Sequence, residues 1–223
     1  MRRTSVLVFM ALAMVALPIG SAFAAGWSIT AFGGGGVPTG DLADEQKGNA
    51  KFGYQIGGAL DHAVNDMWTL GVDGSWVQNK NDDEGKTIDF GFGPVTVDEA
   101  KYKTWQVGGH AKYMFPMQNA SMNPYALVGL GAYNTKLHVK VTDPSSGQSA
   151  EDDFKFDTRF GGKIGLGTMF RANDMIKLGV EADYNFISED KDKTGGAIES
   201  AQYIGIKGLV SFNLAPAASA GAK

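Results

Sequence analysis

From Trp27 to Leu214 the chain alternates segments of two-residue hydrophobic period with polar breaks. The clearest segment runs from Phe154 to Phe170. Phe154, Phe156, Thr158, Phe160, Ile164, Leu166, Thr168 and Phe170 fall on one face, and Lys155, Asp157, Arg159, Lys163 and Met169 on the other, with glycines on both. Period two is the pattern of a strand, and no stretch of the mature chain turns helical. The next two segments repeat it. Leu178, Val180, Tyr184 and Phe186 oppose Lys177, Glu181, Asp183 and Asn185, and Ile204, Ile206, Val210 and Phe212 oppose Tyr203, Lys207 and Ser211.

Eight strands are predicted in all, at Trp27–Gly34, Phe52–Asp61, Trp68–Gln78, Tyr102–Phe115, Tyr125–Val141, Phe154–Phe170, Ile176–Ile187 and Gln202–Leu214. Each is long enough for a tilted membrane crossing of about 9–11 residues. The breaks alternate between short (His62–Met67, Pro116–Asn123, Arg171–Met175) and long (Val37–Lys51, Asn79–Lys101, Thr142–Asp153, Ser188–Ala201). Up-and-down strands with both termini on one side require this alternation. In a membrane barrel the short turns face the periplasm and the long loops face outside.

The aromatic residues sort by strand end. Trp27, Trp68, Tyr125, Phe170 and Phe212 fall toward the short turns, whereas Trp76, Trp105 and Tyr184 fall toward the long loops. Two girdles flanking an aliphatic band are what the two interfaces of a bilayer select. A soluble sandwich or carrier barrel would turn its apolar face inward instead. The prediction is therefore an all-β, eight-stranded antiparallel up-and-down transmembrane β-barrel.

The first residues read as an address. Arg2 and Arg3 precede an apolar run from Val6 to Ile19, and Ala22-Phe23-Ala24 offers a small-x-small cleavage site. This is the order of a secretory signal peptide over 1–24, leaving a barrel over 25–214 and a short flexible tail over 215–223. No later stretch is apolar for 18 residues, so a spanning chain must close as a barrel. The 31 glycines suit tightly curved strands around a narrow lumen. With no cysteine, thiol chemistry and disulfides are excluded. The net charge of -4 carries no basic stripe of the kind that binds nucleic acid.

Several features resemble the small outer-membrane β-barrel family that includes the OmpA membrane domain, OmpX and the OmpW-type proteins. Gly33-Gly34-Gly35-Gly36-Val37-Pro38-Thr39-Gly40-Asp41 resembles the family's passage from first strand to first loop, and Asn123-Pro124-Tyr125 with Gly129 and Gly131 its entry to the fifth strand. The resemblance implies a monomer in the cell outer membrane, in contact with lipid and lipopolysaccharide, inserted by the barrel-assembly machinery. It further implies loops open to an extracellular ligand.

Candidate chemistry lies on the inward faces. Gln55, Asp73, Gln106, His110, Lys112, Arg159, Lys163, Glu181, Asp183 and Lys207 are expected in the lumen, which eight strands leave just wide enough for side chains to fill. Arg159 or Lys163 is expected to pair with Glu181 or Asp183, sealing the lumen or lining a narrow polar pathway. His62, His110 and His138 lack metal-ligand spacing, and no catalytic triad is legible. No cofactor is expected. The expected function is structural or surface-interaction through the loops. The alternative is a narrow porin-like channel for small solutes, hydrophobic ones among them, as the OmpW resemblance suggests.

Overall fold

The structure is a computed structural model. It describes residues 26–89, 94–117, 121–144, 146–155, 157–187 and 202–214. The expected signal peptide and tail, and the last long break at Ser188–Ala201, lie outside the described residues.

The described strands are β1 (Trp27–Thr39), β2 (Ala50–Ala63), β3 (Trp68–Asn81), β4 (Thr87–Asp89), β5 (Pro94–Met114), β6 (Met122–Thr142), β7 (Ser149–Lys155), β8 (Arg159–Arg171), β9 (Ile176–Ile187) and β10 (Gln202–Asn213). A single 3-10 turn, Gly40–Leu42, follows β1. Eight strands form the wall in the order β1-β2-β3-β5-β6-β8-β9-β10, each antiparallel to its neighbours, and β10 pairs back onto β1 from Ser28↔Asn213 to Thr39↔Gln202. Closure removes the sheet edges, as a bilayer requires of strands. The two remaining strands, β4 and β7, extend hairpins from the long ends of β5 and β6.

The pleat sorts side chains opposite to a soluble protein. Leu130 is 73% exposed and Phe160 80%, while Asp183 is 3% and Lys207 4%. Ile56, Val72, Val107, Leu166, Val180 and Ile206 share the outward face with them. This is the solution for a hydrocarbon solvent, and it excludes a carrier with an apolar interior.

Two departures from the expected elements have local causes. The first strand continues past Gly34 to Thr39, because the glycine run stays in the ladder with β10. Pro38 is tolerated there since pairing with β2 ends at Gly36↔Gly53, so β1 needs no donor on that side. The expected strand Phe154–Phe170 is two, β7 and β8. Tyr133 pairs with Arg159 but Lys136 with Lys155, so one extra residue bulges opposite β6. The slip moves Phe154 beside Leu137, on the inward register of β6, while Phe160 stays beside Ala132 on the outward one.

Two of the short turns share a sequence, Asn65-Asp66-Met67 and Asn173-Asp174-Met175. In the first, Asn65 Oδ1 accepts from the N–H groups of Met67 (2.9 Å) and Trp68 (2.8 Å). In the second, Asn173 Oδ1 accepts from Met175 (2.9 Å) and Ile176 (2.8 Å). Each Asx turn closes its hairpin with its own side chain.

Candidate functional site

The lumen is filled by charged side chains from six strands. At its centre His110 (β5) lies between two carboxylates. Its Nε2 is 2.7 Å from Asp61 Oδ1 on β2 and its Nδ1 2.7 Å from Asp73 Oδ1 on β3. An imidazole placed this way satisfies both carboxylates only with protons on both nitrogens. Lys112 Nζ reaches Asp61 at 3.0 Å, and Thr30 on β1 donates to the same carboxylate. Lys163 comes from β8, across the lumen, to donate to Asp73, which also accepts from Gln106 Nε2 at 3.0 Å.

A second group lies along β9 and β10. Lys207 Nζ bridges Glu181 (2.7 Å) and Asp183 (3.1 Å). The Tyr125 hydroxyl donates to Glu181 at 2.7 Å, and Asn185 Nδ2 to Asp183 at 3.0 Å. With His110 protonated, Asp61, Asp73, Glu181 and Asp183 balance His110, Lys112, Lys163 and Lys207, so mid-lumen charge cancels inside the low-dielectric wall.

Glycines clear the space for these side chains. A Cβ at Gly71 would come 2.7 Å from His110 Nε2 and collide with Asp61. One at Gly129 would press on Lys163, and one at Gly167 would overlap the Tyr125 ring. Glycine content and lumenal charge are thus one feature.

The expected residues divide into those the lumen unites and those it reassigns. His110, Lys112, Lys163, Glu181, Asp183 and Lys207 are all buried inside. The expected pairing of Lys163 with Glu181 or Asp183 is corrected: those acids meet Lys207 on the adjoining strand, and Lys163 reaches Asp73. Arg159 is half-buried, at the loop-side end of β8. Asp61, a centre of the network, was expected only as the end of a strand. Its even spacing from Gln55, which is expected inward on the same strand, is the signal that marks it as inward.

Tyr125, expected at the membrane interface, is corrected as well. It is 1% exposed and points into the lumen, because it shares the inward register of Leu127 and Tyr133. The other interface aromatics lie outside. Trp68, Phe170, Phe212 and Trp105 are exposed, and Trp27, Trp76 and Tyr184 are half-buried. Trp68 packs edge-on to Tyr113 (5.1 Å), Tyr54 edge-on to Trp76 (5.5 Å), and Trp27 lies against His62 (4.7 Å). Among the described residues no group of three or more side chains is arranged to hold a metal ion.

Free space is unequal along the axis. Toward the short turns a cavity of about 200 Å³ is lined by Thr69, Lys112, Tyr125, Lys177 and Ser211, with Trp27 at its rim. Around Asp73, His110, Lys163, Glu181 and Lys207 lies a smaller cavity of about 20 Å³. Toward the loops, Leu42 of the 3-10 turn is buried with Ala50 and Tyr102, and Leu137 packs against them.

The outer membrane protein beta-barrel domain family matches residues 4–156. No curated protein sequence matches the chain. Among solved structures, Neisserial surface protein A superposes with a TM-score of 0.54 at 15% identity, covering 85% of this chain and 97% of its own. The N-terminal β-barrel domain of Pseudomonas aeruginosa OprF gives 0.44 at 15% identity, covering 83% and 95%. Ail, the attachment invasion locus protein of Yersinia pestis, gives 0.43 at 15% identity, covering 84% and 99%.

Proposed function

Because the chain belongs to the outer membrane protein beta-barrel domain family, we propose that it acts without catalysis, as a structural and surface-contact protein of the cell outer membrane. Its outward face meets lipid and lipopolysaccharide, its insertion uses the barrel-assembly machinery, and its loops meet an extracellular ligand. A closed wall leaves no strand edge within the membrane for self-association, which favours a monomer.

The observation that carries this reading is the plug. Asp61, His110, Asp73 and Lys163 form a chain from β2 to β8 through the middle of the lumen, beside a cavity of about 20 Å³. That volume suits a single water and no hydrated solute. A barrel closed in this way contributes its wall and its loops.

The second reading, a narrow channel for small solutes, hydrophobic ones among them, is favoured by the cavity of about 200 Å³ at the short-turn end. Conductance of the refolded barrel in a planar bilayer separates the two. Silence from folded protein is the expected result. Stable unitary steps from the unaltered chain would replace the plug with a pathway.

A further inference from the structure

On the outward face of β3, β5 and β6 the cross-strand partners stack in rungs. The rung Trp76–Trp105–Asn134 includes the loop-side aromatics. One rung further out stands Gln78–Lys103–Lys136. Beyond it come Lys80–Lys101–His138–Asp153 and then Glu99–Lys140–Glu151.

Charge is segregated along this ladder. In the outer rungs basic side chains meet acids: Glu99 takes Lys101 at 2.9 Å, Asp153 takes His138 at 2.7 Å, and Glu84 lies 3.8 Å from Lys80. The Lys101 contact holds Glu99 below the usual carboxylate range, and the His138 hydrogen bond does the same for Asp153. Among the described residues the innermost cationic rung makes no direct ion pair with an acid; Asp153 stands diagonally above Lys136, and it and Glu99 act on these lysines only from a distance. Lys103 and Lys136 are direct cross-strand partners, an arrangement that destabilises a sheet by like-charge repulsion.

Two residues along a tilted strand set this rung about 5 Å beyond the tryptophans. That is the depth of the lipid headgroups, below any ligand that stays in bulk water. Among the described residues the feature is also one-sided. At the loop ends of β2 and β9 the outward side chains are Phe52, Tyr54, Tyr184 and Phe186.

We propose that the Lys103–Lys136 rung is a docking surface for the phosphate groups of lipopolysaccharide in the outer leaflet, the two ammonium groups sharing one phosphate. The anion converts a repulsive cross-strand pair into a bridged one and fixes which side of the barrel gathers phosphorylated lipid. This rests on the reading above that the outward face meets lipopolysaccharide, and names the group that is recognised.

The test is retention of bisphosphorylated lipid A, against the same lipid with its phosphates removed, by the refolded chain in neutral detergent, read by native mass spectrometry. The folded chain is expected to hold the phosphorylated lipid at least tenfold more tightly. Lys103→Gln with Lys136→Gln is expected to lose about thirty-fold at low salt. Lys103→Arg with Lys136→Arg is expected to keep the binding, with folding of each variant checked by the gel mobility of unheated barrel. Retention by the Gln pair equal to that of the unaltered chain overturns the site. Equal retention of both lipids by the unaltered chain overturns phosphate recognition and leaves apolar contact. Retention of neither overturns the lipopolysaccharide reading itself. Should the Gln pair fail to fold, the contrast between the two lipids on the unaltered chain and each single variant decides.

Discussion

His110 and Asp61 meet at 2.7 Å although β3 lies between their strands. The contact is possible because the strand between them carries Gly71 at that level, paired with Asp61 on one side and His110 on the other. The lumenal network is therefore stitched over the sheet as well as along it, and Lys163 carries it to the far wall.

Removing the imidazole should open and weaken the plug together. In His110→Ala each carboxylate keeps one lysine, Lys112 for Asp61 and Lys163 for Asp73, so neither charge is abandoned. The expected loss is about 2–3 kcal/mol, the scale of hydrogen bonds to charged groups. Urea unfolding in detergent measures it, and unitary conductance should appear where the unaltered barrel is silent. A variant as silent and as stable as the parent would mean that His110 does not hold the lumen shut.

The Tyr125 hydroxyl offers a milder cut. Tyr125→Phe keeps the buried ring and takes away only the 2.7 Å hydrogen bond to Glu181, which retains Lys207. About 1.5–3 kcal/mol should be lost without a channel opening, because the Asp61–His110–Asp73–Lys163 chain is untouched. Conductance from this variant would contradict the division of the lumen into two groups.

Space can be tested apart from charge. Gly71→Val adds side-chain atoms where Asp61 and His110 meet, while Gly85→Ala adds one at a loop position with nothing within 4 Å. The first should cost about 1–3 kcal/mol or more and the second only what its left-handed φ of 87° imposes. Equal losses from both would show that the lumen has slack around the network.

The wall was legible in the sequence because membrane strands carry their pattern locally. Ile176–Ile187 alternates without a break, and its structure follows residue for residue. What the pattern could not carry was anything set between strands. The bulge opposite Tyr133 leaves the alternation of Phe154 and Phe160 intact while placing them on different registers, so one strand was read where there are two. Lumenal pairings failed for the same reason. Neighbouring strands in sequence suggested Lys163 with Glu181, whereas the reach of a lysine across a narrow barrel selects Asp73. Tyr125 was assigned by its position at a strand end, but its register with Leu127 and Tyr133 decides its direction.

The repeated turn predicts paired effects. Asn65 and Asn173 each accept two backbone N–H groups at 2.8–2.9 Å. Asn65→Ala and Asn173→Ala should each cost about 1 kcal/mol, and the double variant about twice that, since the turns share no strand. Urea midpoints of the singles and the double check both the size and the additivity.

A separate apolar cluster lies toward the loops, and Leu42 allows it to be tested apart from the mid-lumen network. The 3-10 turn holds Leu42 at 3% exposure against Ala50 and Tyr102. The segment after it is tied to the next loop: Asn81 Nδ2 donates to the Gly48 carbonyl (2.9 Å) and Asn49 Nδ2 to Asp83 (3.1 Å). Asn49 itself takes the left-handed φ of 47° that asparagine tolerates better than most residues. Leu42→Asp puts a charge into that apolar cluster and should release the segment over residues 40–49, speeding its cleavage by added protease about tenfold or more through local opening. Wall stability and electrical silence should both persist, because the mid-lumen network lies deeper and shares no side chain with this cluster. Cleavage at the parent rate would show that Leu42 is not what pins the loop. Conductance from the folded variant would show that this cluster, and not the chain through His110, is what closes the barrel.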